Sequence, residues 1–143
     1  RNMDAIGIRL VLKKDRVPEL RKMAREGKIP MRSDGWNADY PDAENFMQLV
    51  YGGSGPDNNS RFNLPEFNAL YERARTLADS PERTKLFDRM TELVVAYAPL
   101  RFTFHLLEDN VRHPWVGTYV PHPIRSQSWQ YIDIDPALRA RTK

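Results

Sequence analysis

Cysteine is missing from all 143 residues, which excludes disulfide staples, thiolate nucleophiles and zinc–thiolate sites. Histidine is scarce. His105, His113 and His122 lie close in sequence but lack HExxH or any similar ligand spacing. A solvated or capping role suits each: His105 falls on the polar side of a strand-like run, and His113 and His122 directly precede proline. No apolar run approaches the ~20 residues that span a bilayer as a helix.

Neither charge sign dominates. The 22 basic and 19 acidic residues leave a net charge of +3, spread along the chain without the stripe or face that a nucleic-acid partner requires. The basic end, with Arg139, Arg141 and Lys143, reads as solvated chain terminus. There is no GxSxG elbow, so nucleophilic catalysis lacks its usual signature. Gly52, Gly53 and Gly55 resemble a phosphate loop only loosely, because no Lys-Ser/Thr follows them. No catalytic set and no cofactor motif emerge.

What is present is the patterning of a soluble domain, 41% hydrophobic and 29% charged. The chain opens on Arg1, and IGIRLVL already reads as the interior of a fold, so a piece of a longer protein is expected. Alternation of Ile6, Ile8, Leu10 and Leu12 predicts a strand over Ile6–Leu12. A helix follows Asp15, with Val17, Leu20, Met23 and Ala24 on one face, Pro18 in its first turn and Gly27 as a left-handed C-terminal residue. A second strand is expected from Ile29 to about Ser33, which completes a βαβ crossover.

Further on, Asp42 is placed to cap a short helix bearing Phe46, Leu49 and Val50, and Tyr51 to Asn59 reads as loop. Asn63 and Glu66 have capping-box spacing around Pro65. Phe67, Leu70, Tyr71, Ala74, Leu77 and Ala78 form one apolar stripe. Ser80-Pro81 opens a second helix with Leu86, Phe87, Met90, Leu93, Val94 and Tyr97 on its buried face, ending before Pro99. The pair makes an αα-hairpin, and Arg73, Arg75 and Arg83 are assigned to its wet side. Leu100, Phe102, Phe104 and Leu106 alternate as another strand, and Glu108 to Pro136 has no sustained period before ending in YIDID.

The stretch GWNADYPDAENF, Gly35 to Phe46, concentrates aromatics and acids between these elements. It lies at the carboxyl end of an expected strand, where open α/β sheets tend to bind ligands. Asp42 has the capping task, and Tyr40-Pro41 enforces an extended or turn geometry. Asp39 has no evident structural task. Flanked by Trp36 and Tyr40, its carboxylate suits a cationic guest through charge-assisted hydrogen bonds and cation–π attraction. From the residues alone, a well-made turn and a binding site both stand.

GWNADYPDAENF, the Asn-rich loop, RFNLPEFNALYERA, a second helix with an early arginine, and VRHPWVGTY together resemble family 5 extracytoplasmic solute-binding proteins, the peptide receptors of ABC importers. The resemblance runs through nearly the whole chain. It implies the C-terminal part of a two-lobed, venus-flytrap α/β fold: residues 1–106 in the second ligand-binding lobe, and 107–143 as hinge crossing and tail packed on an absent first lobe. An isolated piece is then expected to expose apolar surface and to self-associate or leave its tail poorly ordered.

The resemblance further implies capture of peptides in the periplasm, delivery to a membrane permease, and no enzymatic step. In peptide-binding members the aspartate of W-x-A-D-Y meets the ligand's α-ammonium group; here that position is Asp39, with Trp36 walling the pocket. Tyr40, Asn37 (at a variable position) and Arg32, a candidate partner for a ligand carboxylate, complete the expected set. Nickel complexes, sugars or opines are alternative solutes. A hydrolase or lyase using Asp39 with Glu44 or His105, or a purely structural domain, is the reading from another class.

Overall fold

Ser80 and Pro81 start the longest helix in the computed structural model, which describes residues 3–105, 107, 109, 111–117 and 131–141. Proline at the first helical position gives up no intrahelical bond, and the Ser80 hydroxyl accepts the Arg83 N–H at 3.2 Å. That helix, α4 (Pro81–Tyr97), packs antiparallel on α3 (Pro65–Ala74). Ala98, left-handed at φ 49°, ends α4 by returning its N–H to the Val94 carbonyl. The expected αα-hairpin is therefore present.

Its seam is the core. Phe67, Tyr71 and Ala74 from α3 meet Leu86, Met90, Leu93 and Val94 from α4, with Val50 closing the end. Each large side chain buried there contributes about 1.5–3 kcal/mol of transfer free energy. Leu70, Leu77 and Phe87 are half-buried at its edge, whereas Ala78 lies beyond the end of α3 and Tyr97 is exposed.

The capping box does not form. Leu64 is the N-cap of α3, and the Glu66 carboxylate is drawn across the hairpin to Arg89, whose Nε and Nη2 reach it at 2.9 and 2.7 Å. Asn63 accepts instead from Asn68, and the Asn68 Oδ1 accepts the Gly52 N–H. Loop 51–62 is held from within by buried Asn58, whose Nδ2 donates to the carbonyls of Tyr51 and Phe62.

Before the hairpin come α1 (Val17–Arg25) and α2 (Glu44–Met47), the latter continued by a 3-10 turn over Gln48–Val50. Gly27 ends α1 at φ 70°, as its position predicts. A β-carbon there would lie 1.8 Å from the Arg61 guanidinium, which crosses the turn and donates to the Arg25 carbonyl.

The strands expected at Ile6–Leu12 and Ile29–Ser33 are absent, and with them the βαβ crossover. Residues 4–6 form a 3-10 turn and the rest is irregular. Alternation only marks a strand when a neighbour pairs its N–H and C=O groups, and no such neighbour exists among the described residues. The apolar sets are consequently left open: Ile6, Ile8, Leu10 and Leu12 are exposed. In the run from Leu100, Leu100 itself is half-buried against the hairpin core, whereas Phe102 is 67% and Phe104 75% exposed; Leu106 lies outside the described residues. The chain is thus mainly helical here. Among the described residues the ladder is the antiparallel pair β1 (Val116–Gly117) and β2 (Asp133–Ile134), and α5 (Pro136–Arg141) follows β2. Within the described residues no helix is long and apolar enough to cross a membrane.

Candidate functional site

One side chain organises the Gly35–Phe46 stretch, and it is Asn45, at 0% exposure. Its Oδ1 accepts the indole N–H of Trp36 at 2.8 Å and the backbone N–H of Asp39 at 3.1 Å. Its Nδ2 donates to Asp39 Oδ2 at 3.3 Å. The amide is buried with a partner for both its oxygen and its nitrogen, which is the condition under which such burial is tolerated. Trp36 and Asp39 are thereby fixed to one another through a residue on α2.

The start of α2 is fixed in turn by Asp42. Its Oδ1 accepts the Glu44 N–H at 2.9 Å and its backbone carbonyl accepts that of Asn45, so it braces the start of α2 from one residue before the N-cap, which is Ala43 and not Asp42 as expected. The same carboxylate is gripped by Arg83: Nη2 to Oδ1 and Nη1 to Oδ2, both 2.9 Å. Arg83 also donates from Nε to the Ala74 carbonyl and from Nη1 to Asp79, and its guanidinium lies 4.8 Å over the Phe87 ring. The Arg83 hydrogen bonds, reinforced by the Glu44 N–H, outweigh burial and hold the Asp42 carboxyl below its ordinary range.

Arg83 corrects the sequence reading. It is not on the wet side of the hairpin but 8% exposed, while Arg73 and Arg75 are exposed and paired to Glu82 and Glu72. The signal was present: Arg83 precedes Leu86, Phe87 and Met90 by three, four and seven residues, the spacing of the buried stripe. Asn45 was also within reach as a short amide in a helix among apolar neighbours, a placement that favours a specific bonding task.

Glu44 is committed to two phenols, accepting from Tyr40 and from buried Tyr71. Burial and then the Glu44 hydrogen bond push the Tyr71 hydroxyl well above the usual phenol range; for Tyr40 the Glu44 hydrogen bond leads. Tyr71 also stacks on Tyr51, with centroids 4.3 Å apart.

Of the five predicted ligand-binding residues, Trp36 and Asp39 are brought together by Asn45, and Tyr40 adjoins them through the backbone. Trp36 and Tyr40 are each 41% exposed. Asp39 is exposed, its Oδ2 carrying the Asn45 bond, and among the described residues no hydrogen bond reaches its Oδ1. Asn37 is exposed in the same turn. Arg32 is not on a strand; it forms an ion pair with Asp34. Among the histidines, His105 is exposed, His113 stacks on Trp115 with centroids 4.1 Å apart, and His122 lies outside the described residues. No group of three or more His, Asp or Glu side chains that could hold a metal ion occurs among the described residues.

No family model matches the chain, nor does any solved structure. Curated proteins do. Heme-binding protein A of Haemophilus influenzae is 32% identical over 119 residues, 82% of this chain and 22% of that protein. Di/tripeptide-binding protein 4 of Pseudomonas aeruginosa is 26% identical over 133 residues, 91% of this chain and 25% of that protein. The chain spans about a quarter of the length of these relatives, both of which are named as binding proteins. On this similarity the chain belongs to the family 5 solute-binding proteins.

Proposed function

We propose that the whole protein captures peptides outside the cytoplasm and passes them to a membrane permease without covalent chemistry, and that Asp39 anchors the peptide's α-ammonium group. One observation carries this reading. Asp39 presents an unoccupied carboxylate oxygen beside a half-exposed Trp36, and both are fixed by a fully buried amide. A carboxylate held rigid before the ligand arrives pays less ordering entropy on binding. The neighbouring acids are otherwise employed, Asp42 by Arg83 and Glu44 by two tyrosines, which argues against an acid–base pair. The relative named for di- and tripeptides supports the solute class.

In this reading residues 1–106 belong to the second lobe of a two-lobed receptor, and 107–143 cross back to the first. The open apolar runs at Ile6–Leu12 and Phe102–Phe104 support it, because they have the alternation of strands and lack partners here. The test is calorimetry of the full-length protein with alanine peptides of two to five residues, free and N-acetylated. Free peptides bind more tightly, and Asp39→Ala removes at least about tenfold of that advantage. Equal affinity for free and acetylated peptides in the parent overturns the reading.

A second reading rests on the relative named for heme: the solute is a flat tetrapyrrole stacked on Trp36 and Tyr40. Titration with hemin separates the two, since saturable absorbance changes insensitive to Asp39→Ala favour the tetrapyrrole.

A further inference from the structure

Trp36 Nε1–H and the Asp39 N–H are both donors and can only meet an oxygen, so the pair fixes which way the buried Asn45 amide faces. With Oδ1 committed to them, Nδ2 is left as the amide's donor, and it lies 3.3 Å from Asp39 Oδ2. The carboxylate is therefore not a symmetric anion in this site. One oxygen carries the bond from the buried amide, and among the described residues no hydrogen bond reaches the other.

We infer that Asn45 is a positioning residue for solute recognition: it selects Asp39 Oδ1 as the oxygen that receives the ligand's cation and holds that oxygen beside the Trp36 ring. The inference rests on the reading of Asp39 as a cation anchor. An approaching ammonium group meets a single oxygen, so its direction of approach is set by the amide and not by the rotation of Asp39. The indole, tethered to the Asn45 amide oxygen, keeps its place relative to that direction. The chain of control runs inward: Arg83 holds Asp42, Asp42 braces the start of α2, and α2 carries Asn45. Removing Asn45 frees Asp39 to rotate and detaches Trp36 without deleting either group.

The experiment measures affinity of the full-length protein for tri-alanine and N-acetyl-tri-alanine by calorimetry, in the parent and in Asn45→Ala. The parent prefers the free amine. Asn45→Ala narrows that preference by about tenfold, the scale of a hydrogen bond to a charged group, while affinity for the acetylated peptide changes by less than about twofold. The Trp36 indole N–H resonance, assigned with Trp36→Phe, shifts in the same variant. Should Asn45→Ala not fold, Asn45→Ser, smaller but still polar, is expected to show the same narrowing.

An unchanged preference, or an equal loss for both peptides, overturns the inference and leaves the functional reading standing. Failure of both variants to fold also overturns it, because Asn45 then serves the fold and not the carboxylate. A parent with no preference overturns the functional reading first, and the inference with it.

Discussion

Arg83 grips both carboxylate oxygens of Asp42, 2.9 Å to each, across 41 residues of sequence. This pairing joins the helical hairpin to the turn that presents Asp39. It places a largely buried guanidinium against a partly buried carboxylate, with Ala74 and Asp79 taking two further donors.

Arg83→Ala should therefore destabilise the protein by about 2–3 kcal/mol, less than a fully buried pair would lose because water reaches Asp42 in part. Chemical denaturation of parent and variant checks the value. A change below about 0.5 kcal/mol would mean that the pair is no stronger than an ordinary surface bridge.

Acid sensitivity follows from the same contact. Hydrogen bonding to Arg83 lowers the Asp42 pKa in the folded chain below its ordinary 3.8. Its contribution is fully present above 3.8 and is lost as pH falls through the lower folded value. Melting temperatures of the parent should fall over that acid range, and Asp42→Asn should flatten this part of the profile while lowering stability at pH 7. Parallel profiles would sink the assignment.

Gly27→Ala tests a contact no local rule predicts. The backbone at φ 70° disfavours a side chain, and the new methyl displaces the Arg61 guanidinium from the Arg25 carbonyl. A loss of about 1–2 kcal/mol is expected. In the Arg61→Ala background Gly27→Ala should cost less, because the displaced bond is already gone. Strict additivity in denaturation experiments would remove the contact from the account.

Phe67→Ala should destabilise by about 3–5 kcal/mol, since the ring is wholly buried in the hairpin seam. Replacing Phe102 and Phe104 together by serine should leave stability within about 0.5 kcal/mol in the 143-residue chain. The same pair should reduce its binding of a hydrophobic dye and its self-association, as measured by light scattering. The contrast distinguishes a face that is packed from one that awaits a partner.

The sequence by itself determined the hairpin, because its signals are local: Ser80-Pro81 starts α4, and the apolar stripes of α3 and α4 recur at helical spacing. It also determined Gly27 as the left-handed end of α1, and it left Asp39 as the acid with no evident structural task. Strands were legible only as alternation. Their existence depends on lateral pairing with residues far away or elsewhere, and the pattern cannot supply the partner. Tertiary structure alone decided that Glu66 answers to Arg89 and not to a cap, that Arg83 is buried against Asp42, and that one amide, Asn45, joins Trp36 to Asp39. Those are choices between competing partners for the same polar atoms, and the choice is made by which groups packing leaves without water.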